Sequence, residues 1–391
     1  MANPVKKTME VGGFEREYLV YTPSNPAAEK AVGIIVCLHG FGRTMEDFFD
    51  GYDITSIADS LNMMIISPQA LEEQDPEVWK IAGYIDNKLS LHSVWGCGLN
   101  VRAVTTLLNF EILNEELNKE VDDVLFIDQI IDEVMSAYEV DDENLFVLGT
   151  SMGGYMTYQY ALRSSKRLSG IISIAGSMGT KIKGIDNRPK APVCDFHSIT
   201  DEVVPYTGSY ELSLPIFLKA KITLAMPKEE VINYWRETNS TGEPITEQIE
   251  YYPSTTGIAV TKITYPNPEN EVIHYKTDGA PHSYFFSKEN GDCMDHVEEI
   301  ARFIQSHTID NPAHNPIMPT QKAFFYPNPV ADIIHTNVTN GTVTVYEITG
   351  KGIYSNSFTN SQVDLSFLKS GIYFIRVQSG NTMQTGKLIK K

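Results

Sequence analysis

The sequence predicts an α/β protein, a mostly parallel central sheet with helices on both faces, followed by a small all-β sandwich. Three observations carry this. From Gly33 onward, short continuous apolar runs alternate with stretches of helical spacing, the rhythm of a parallel sheet. One such run, Leu145 to Leu148, leads directly into Gly149-Thr150-Ser151-Met152-Gly153 and then into a helical pattern from Tyr155 to Arg163. Beyond about Ile309 the pattern changes to short alternating strands punctuated by glycine.

Taken in order, Glu17 to Thr22 alternates as a strand. Gly33 to Leu38 is a continuous apolar run, which suits a strand covered on both faces, and it ends in His39-Gly40-Phe41-Gly42. Ile54, Ile57, Ala58 and Leu61 keep helical spacing, and Met63 to Ile66 is the next strand. From about 68 to 123 the order breaks down, with Trp79, Tyr84 and Trp95 scattered through polar, glycine-containing sequence. That is long for a connection, and long insertions tend to be functional. Two readings stand for it. It is a cap whose aromatic residues wall the site, or Trp79 and Trp95 simply anchor the insertion to the body. Val124 to Tyr138 follows as an amphipathic helix.

After the Gly149–Gly153 turn, strands are expected at Ile171–Ala175, Val193–Ser198 and Glu271–Lys276. Helices are expected at Val231–Glu237 and Asp295–His307, and a hairpin from Glu250–Tyr252 and Val260–Tyr265. The expected division is a body at 1–308, a proline-containing linker at 309–323 and a β domain at 324–391. Its strands are Ile333–Val338, Thr342–Glu347, Ile372–Gln378 and Gln384–Ile389, with Gly350, Gly371 and Gly380 at turns.

The chain of 391 residues is long enough for two or three domains, and its 42 % apolar content can build a core. Its formal charge of −19 argues against nucleic acid or an anionic membrane as partner. The C-terminal part carries seven Lys or Arg against four Asp or Glu, so the acidity lies in the body. No apolar run of about 18 residues suggests a membrane span. Met1-Ala2-Asn3-Pro4 lacks the layout of a signal peptide, so the protein is expected to be cytoplasmic or to follow a signal already removed. Cys37 and Cys194 sit in apolar strands as buried thiols. Cys97 and Cys293 lie in loop-like stretches, where a disulfide would suit an exported protein and is left open. No Cys/His spacing suggests a metal, and no cofactor is expected.

Strand, Gly-x-Ser-x-Gly, helix is the context of a nucleophile elbow. Only small residues fit at Gly149 and Gly153, because strand and helix press together there. Ser151 Oγ then stands above the sheet edge. A serine hydroxyl needs a base, and the base needs an orienting acid. His282, in Gly279-Ala280-Pro281-His282, follows the last predicted strand on a loop. His197 and His274 lie within strands, and His296 and His307 within a helix. Asp201 lies just past a strand end, where a carboxylate can reach the imidazole, with Glu202 its nearest rival. The developing oxyanion needs two amide donors, each worth about 3–4 kcal/mol. The Met152 N–H at the helix start is one, and the Phe41 N–H in the His39–Gly42 loop is the other. His39 is expected to brace that loop. Trp79, Trp95 and Tyr284 are the candidate substrate contacts.

Several blocks resemble a known family. They are His39-Gly40-Phe41-Gly42, Val121-Asp122-Asp123-Val124, Gly149-Thr150-Ser151-Met152-Gly153-Gly154, Phe196-His197-Ser198-Ile199-Thr200-Asp201-Glu202-Val203-Val204-Pro205-Tyr206 and Gly279-Ala280-Pro281-His282. The likeness is to the polyhydroxybutyrate depolymerase-like and feruloyl esterase-like secreted α/β-hydrolases related to carbohydrate esterase family 1, and it covers roughly residues 10–306. It implies an α/β-hydrolase fold, the same three residues Ser151, Asp201 and His282, and ester hydrolysis through an acyl-enzyme. That family often has Asn at the position of Met152 and Thr-Trp-Pro after the histidine, where Ser283-Tyr284-Phe285 stands here. Both departures flank the acyl site, so the resemblance says least about substrate.

The tail blocks Phe325-Tyr326-Pro327-Asn328-Pro329, Val345-Tyr346-Glu347-Ile348-Thr349-Gly350-Lys351, Asp364-Leu365-Ser366 and Ser370-Gly371-Ile372-Tyr373 resemble the C-terminal sorting domain of the Bacteroidetes type IX secretion system. This implies export, with the type IX machinery as partner, and a secreted or cell-surface location. It also favours a signal already removed. The expected function is a secreted serine esterase acting on feruloyl or acetyl esters of plant polysaccharide, or on short polyhydroxyalkanoate polyesters. A serine peptidase or acyltransferase with the same triad is the alternative, and a non-catalytic binding protein is disfavoured by the complete triad.

Overall fold

The computed structural model describes residues 3–24, 30–85, 91–106, 109–213, 219–309, 325–326, 330–336, 338–347, 351–379 and 382–391. The Tyr84 side chain, the linker residues 310–323, Pro327-Asn328-Pro329, Gly350 and Gly380 lie outside the described residues. The chain divides into two compact units, Met1–Ile317 and Met318–Lys391.

In the first unit the strands are, in chain order, β1 (Val5–Val11), β2 (Phe14–Tyr21), β3 (Gly33–Leu38), β4 (Met63–Pro68), β5 (Asn100–Thr105), β6 (Glu111–Glu116) and β7 (Leu145–Thr150). They continue with β8 (Gly170–Ile174), β9 (Val193–Ser198), β10 (Ser209–Ser213), β11 (Lys219–Thr223), β12 (Ile245–Gln248), β13 (Ala259–Tyr265) and β14 (Val272–Asp278). Ten of them form one sheet in the order β1-β2-β4-β3-β7-β8-β9-β14-β13-β12. The six from β4 to β14 run parallel, and antiparallel pairs flank them at each edge.

The continuous apolar run of β3 has its reason here. Ile34, Val36 and Leu38 enter the core under the helices Asp123–Ala137, Met152–Arg163 and Lys228–Asn239. Ile35 and Cys37 enter the opposite core under Ile54–Leu61 and His296–His307. Two of these helices start on aspartate caps. Asp122 accepts the Leu125 N–H and Asp295 the Glu298 N–H, each satisfying a donor that the first turn leaves unpaired. This is the α/β-hydrolase fold, at the positions the apolar periodicity indicates.

Three features differ from expectation. The hairpin on β13 is closed by Ile245–Gln248 rather than by 250–252. An N-terminal strand, β1, pairs along β2 where no strand was expected. The insertion is not structureless. It holds a helix, Pro76–Ile85, and strands β5 and β6, which join β10 and β11 in a separate sheet ordered β10-β11-β5-β6. Ala220 pairs Thr105 across more than a hundred residues. Pairing of that range leaves no local periodic signature.

The four cysteines are free and buried, so Cys97 and Cys293 are not bonded. Burial pushes the Cys97 thiol up to about 12 and raises Cys37, Cys194 and Cys293 as well. The expected outcome with a thiol reagent is negligible reaction of the native protein, and four equivalents per chain in guanidinium without reductant.

The second unit packs a three-stranded sheet (Phe325–Tyr326, Ile333–Thr336, Gln362–Asp364) on a four-stranded one (Gly341–Glu347, Gly352–Phe358, Gly371–Ser379, Thr382–Lys390). Phe325, Ile334 and Val363 from one and Val343, Val345, Ile375 and Val377 from the other share a core, which makes it a small sandwich. Among the described residues, no helix is long and apolar enough to cross a membrane.

Candidate active site

At the end of β7 the chain turns through Ser151, whose φ is +53° and ψ −119°. Non-glycine residues rarely occupy this region, and such strain persists only where the surroundings impose it. They do so here. The Ser151 N–H donates to the Ile174 carbonyl at 2.8 Å, fixing the turn to β8. A Cβ on Gly149 would collide with the Gly153 carbonyl, and one on Gly153 with the carbonyls of Leu38 and His39. Gly153→Ala is therefore expected to remove at least ~2 kcal/mol of stability, and any hydrolytic activity with it, because backbone rather than a flexible side chain must move. Thermal unfolding with a parallel rate measurement checks this.

His282 stands on the loop after β14. Its Nε2 accepts the Ser151 hydroxyl at 2.8 Å, and its Nδ1–H donates to Asp201, 2.8 Å from Oδ2 and 3.0 Å from Oδ1. Asp201 lies on the turn after β9, and its Oδ1 also accepts the backbone N–H groups of Val203 and Val204, at 2.9 and 2.8 Å. Burial by itself raises this carboxyl. The His282 bond and charge and the Val204 N–H more than offset it, so Asp201 stays below the ordinary carboxylate value. Glu202, its rival, instead accepts the His282 backbone N–H at 3.3 Å. Two of the other histidines are engaged elsewhere. His274 bonds Asp195, and His296 accepts the Phe286 N–H. Serine, imidazole and carboxylate thus converge from three loops at the C-terminal ends of β7, β9 and β14.

Met152 opens the helix Met152–Arg163, and Phe41 follows Gly40, where a Cβ would lie 3.4 Å from that of Ser151. Among the described residues, neither the Phe41 nor the Met152 N–H has a protein acceptor. Two free amides beside a serine hydroxyl fit a developing oxyanion. His39 braces the loop. Its Nε2 accepts the Ala70 N–H at 3.1 Å, which places the proton on Nδ1 against the Gly40 carbonyl at 2.8 Å. Burial pushes this imidazole down to about 4, so it stays neutral and keeps that tautomer.

The aromatic residues of the insertion serve differently from a wall. Trp95 is fully buried, with its ring 4.9 Å from that of His39 and its Nε1–H on the His39 carbonyl at 2.9 Å. It cannot touch a substrate from there, and the anchoring reading replaces the wall. Trp79 donates to the Glu73 carbonyl at 2.8 Å and packs on His92 at 5.2 Å, again within the insertion. Tyr284 is half-buried, with its hydroxyl on the Asp292 carboxylate at 3.1 Å and its ring edge-on to Phe286. Sequence reasoning missed a second buried cluster behind Asp201. Asp195 on β9 accepts from Lys228 Nζ, His274 Nδ1 and the Tyr158 hydroxyl, each at 2.8 Å. A charge inside an apolar strand was the available signal, but its partner lies 33 positions on.

A serine–histidine–aspartate array on an elbow, backed by two free amides, is the arrangement of a serine hydrolase of the α/β-hydrolase fold. Comparison with known proteins finds family models that match parts of the chain. Residues 110–221 match the Phospholipase/Carboxylesterase family model, and residues 324–391 match the Secretion system C-terminal sorting domain. A probable feruloyl esterase C of Aspergillus niger is 36 % identical over 98 residues, which are 25 % of this chain and 35 % of that protein. Its Aspergillus clavatus counterpart is 32 % identical over 93 residues, 24 % of this chain and 33 % of that one. The matched part therefore spans about a third of the length of these relatives. An acetyl xylan esterase structure from Aspergillus awamori superposes with a TM-score of 0.49 at 12 % identity, covering 77 % of this chain and 99 % of that one.

Proposed function

We propose that this chain is an exported serine esterase. Ser151 attacks the ester carbonyl while His282 Nε2 takes its proton, Asp201 holds the imidazole, and the Met152 and Phe41 amides receive the oxyanion. The alcohol leaves with the proton from His282. A water activated by the same imidazole then releases the acid. The observation that carries this reading is the pair of 2.8 Å contacts that join Ser151 to His282 and His282 to Asp201. The domain division is a hydrolase body at 1–308, a linker at 309–323 and a sorting domain at 324–391 that addresses the protein to type IX secretion and the cell surface or medium.

The substrate class is feruloyl or acetyl esters of plant polysaccharide, or short polyhydroxyalkanoate-type polyesters. The local likeness to feruloyl esterases supports the first. The experiment is a panel of methyl ferulate, acetylated xylan, a hydroxybutyrate oligomer and a peptide amide. Hydrolysis of an ester with no action on the amide is expected. Cleavage of the amide at a comparable rate would instead make the protein a peptidase.

A further inference from the structure

On β9, behind the Asp201 carboxylate, lies a second imidazole. His197 is 2 % exposed, and its Nε2 is 3.7 Å from Asp201 Oδ2. Its nearest partners are both acceptors. Nδ1 lies 3.0 Å from the Gly176 carbonyl oxygen, and Nε2 lies 2.8 Å from the Val204 carbonyl oxygen. A neutral imidazole has one N–H and one lone pair. In that form one ring nitrogen would turn its lone pair onto a carbonyl oxygen, in a site closed to water. With both nitrogens protonated each carbonyl is satisfied, and the ring's charge faces the carboxylate.

The surrounding charges leave room for this cation. Lys228 Nζ reaches the same Gly176 carbonyl at 2.6 Å and pairs with Asp195 at 2.8 Å. His274 faces the far oxygen of Asp195, and the Tyr206 ring lies edge-on to His197 at 5.8 Å. The one ammonium is thus paired with Asp195, and Asp201 is faced by imidazoles alone. Burial and the Lys228 charge press His197 toward its neutral form, while Asp195, the Val204 carbonyl and Asp201 favour the charged one. The two-acceptor geometry decides between them. We propose that His197 is a positioning residue, a buried imidazolium that holds Asp201 against His282 and sets the pH range of the triad. This rests on the serine-hydrolase reading above.

The first test is NMR of the wild-type protein carrying ¹⁵N-labelled histidine, at neutral pH. Protons on both His197 ring nitrogens are expected, and a single one overturns the proposal. The second is the pH profile of kcat/KM for a p-nitrophenyl ester in His197→Gln. Its amide can still donate to the Val204 carbonyl but carries no charge. Loss of the nearby cation makes the catalytic imidazole easier to protonate, so the acidic limb should move up by roughly half a pH unit or more. KM should change little. An unmoved limb in a folded variant also overturns the proposal, and if the variant does not fold the wild-type spectrum decides alone. Failure of the underlying reading is visible separately, because Ser151→Ala would then keep its activity whatever the proton count at His197.

Discussion

Ser151→Ala lowers kcat for a short-chain p-nitrophenyl ester by a factor on the order of 10⁶. The hydroxyl is the atom that bonds to the acyl carbon, and the His282 imidazole 2.8 Å away has no other proton to take. The fold should survive. The turn is held by the Ser151 backbone N–H on Ile174 and by close packing at Gly149 and Gly153, none of which uses the side chain. Alanine can occupy the same φ of +53°, imposed by the same neighbours. Labelling by a fluorophosphonate probe should vanish while thermal unfolding stays within a degree or two of wild type. Asp201→Asn should cost about 10⁴, because an amide no longer enforces the tautomer that presents a bare Nε2 to the serine. The residual rate of Ser151→Ala reports the Met152 and Phe41 amides without the nucleophile, whereas Asp201→Asn keeps the serine and the imidazole. A Ser151→Ala protein that keeps even a tenth of the wild-type rate would sink the assignment.

Asp195→Ala destabilises the body by about 3–5 kcal/mol, measured by urea unfolding, although Asp195 touches no substrate. It is fully buried, and its removal leaves the Lys228 ammonium, 1 % exposed, without its carboxylate. Most of the loss is the penalty of that stranded charge rather than the net worth of the pair. The double variant Asp195→Ala/Lys228→Met should therefore recover a large part of it. The same pair predicts a pH dependence. Burial alone raises the Asp195 carboxyl, but the Lys228 charge and the His274 hydrogen bond outweigh it and hold the group well below the ordinary value. A depressed folded-state value contributes stability that is complete above about pH 5 and is lost as the pH falls below the unfolded carboxylate value. Wild type should accordingly lose more stability between neutral pH and pH 3 than the double variant does. Equal losses would show that the pair stays intact on acidification or contributes nothing.

Asp201 and Asp195 show how unevenly the site could be read. Asp201 is visible because it follows a strand end and precedes a turn, the place from which a loop carboxylate reaches inward. Asp195 sits mid-strand six residues earlier, where the local pattern offers it no partner. Lys228 lies beyond β10 and β11, a pair that joins the insertion only through β11 on β5, across a long separation. Trp95 carries the same lesson. An aromatic ring there suits a binding wall, and only its bond to the His39 carbonyl shows that it steadies the His39–Gly42 loop from behind.

The linear chain by itself determined the α/β alternation, the sharp turn at Ser151, the placing of His282 and Asp201 on loops after strands, and the β-rich tail. Each of these depends on residues within a few positions of one another, through strand or helix periodicity, glycine at a crowded turn, or a loop placed after a strand. Only the tertiary structure decided that the insertion folds into its own sheet, that Cys97 and Cys293 stay apart, that Lys228 pairs with Asp195, and that His197 faces Asp201 behind the triad. Those outcomes depend on burial and on pairing between distant segments, which acquire their energies only once the sheet has brought the segments together.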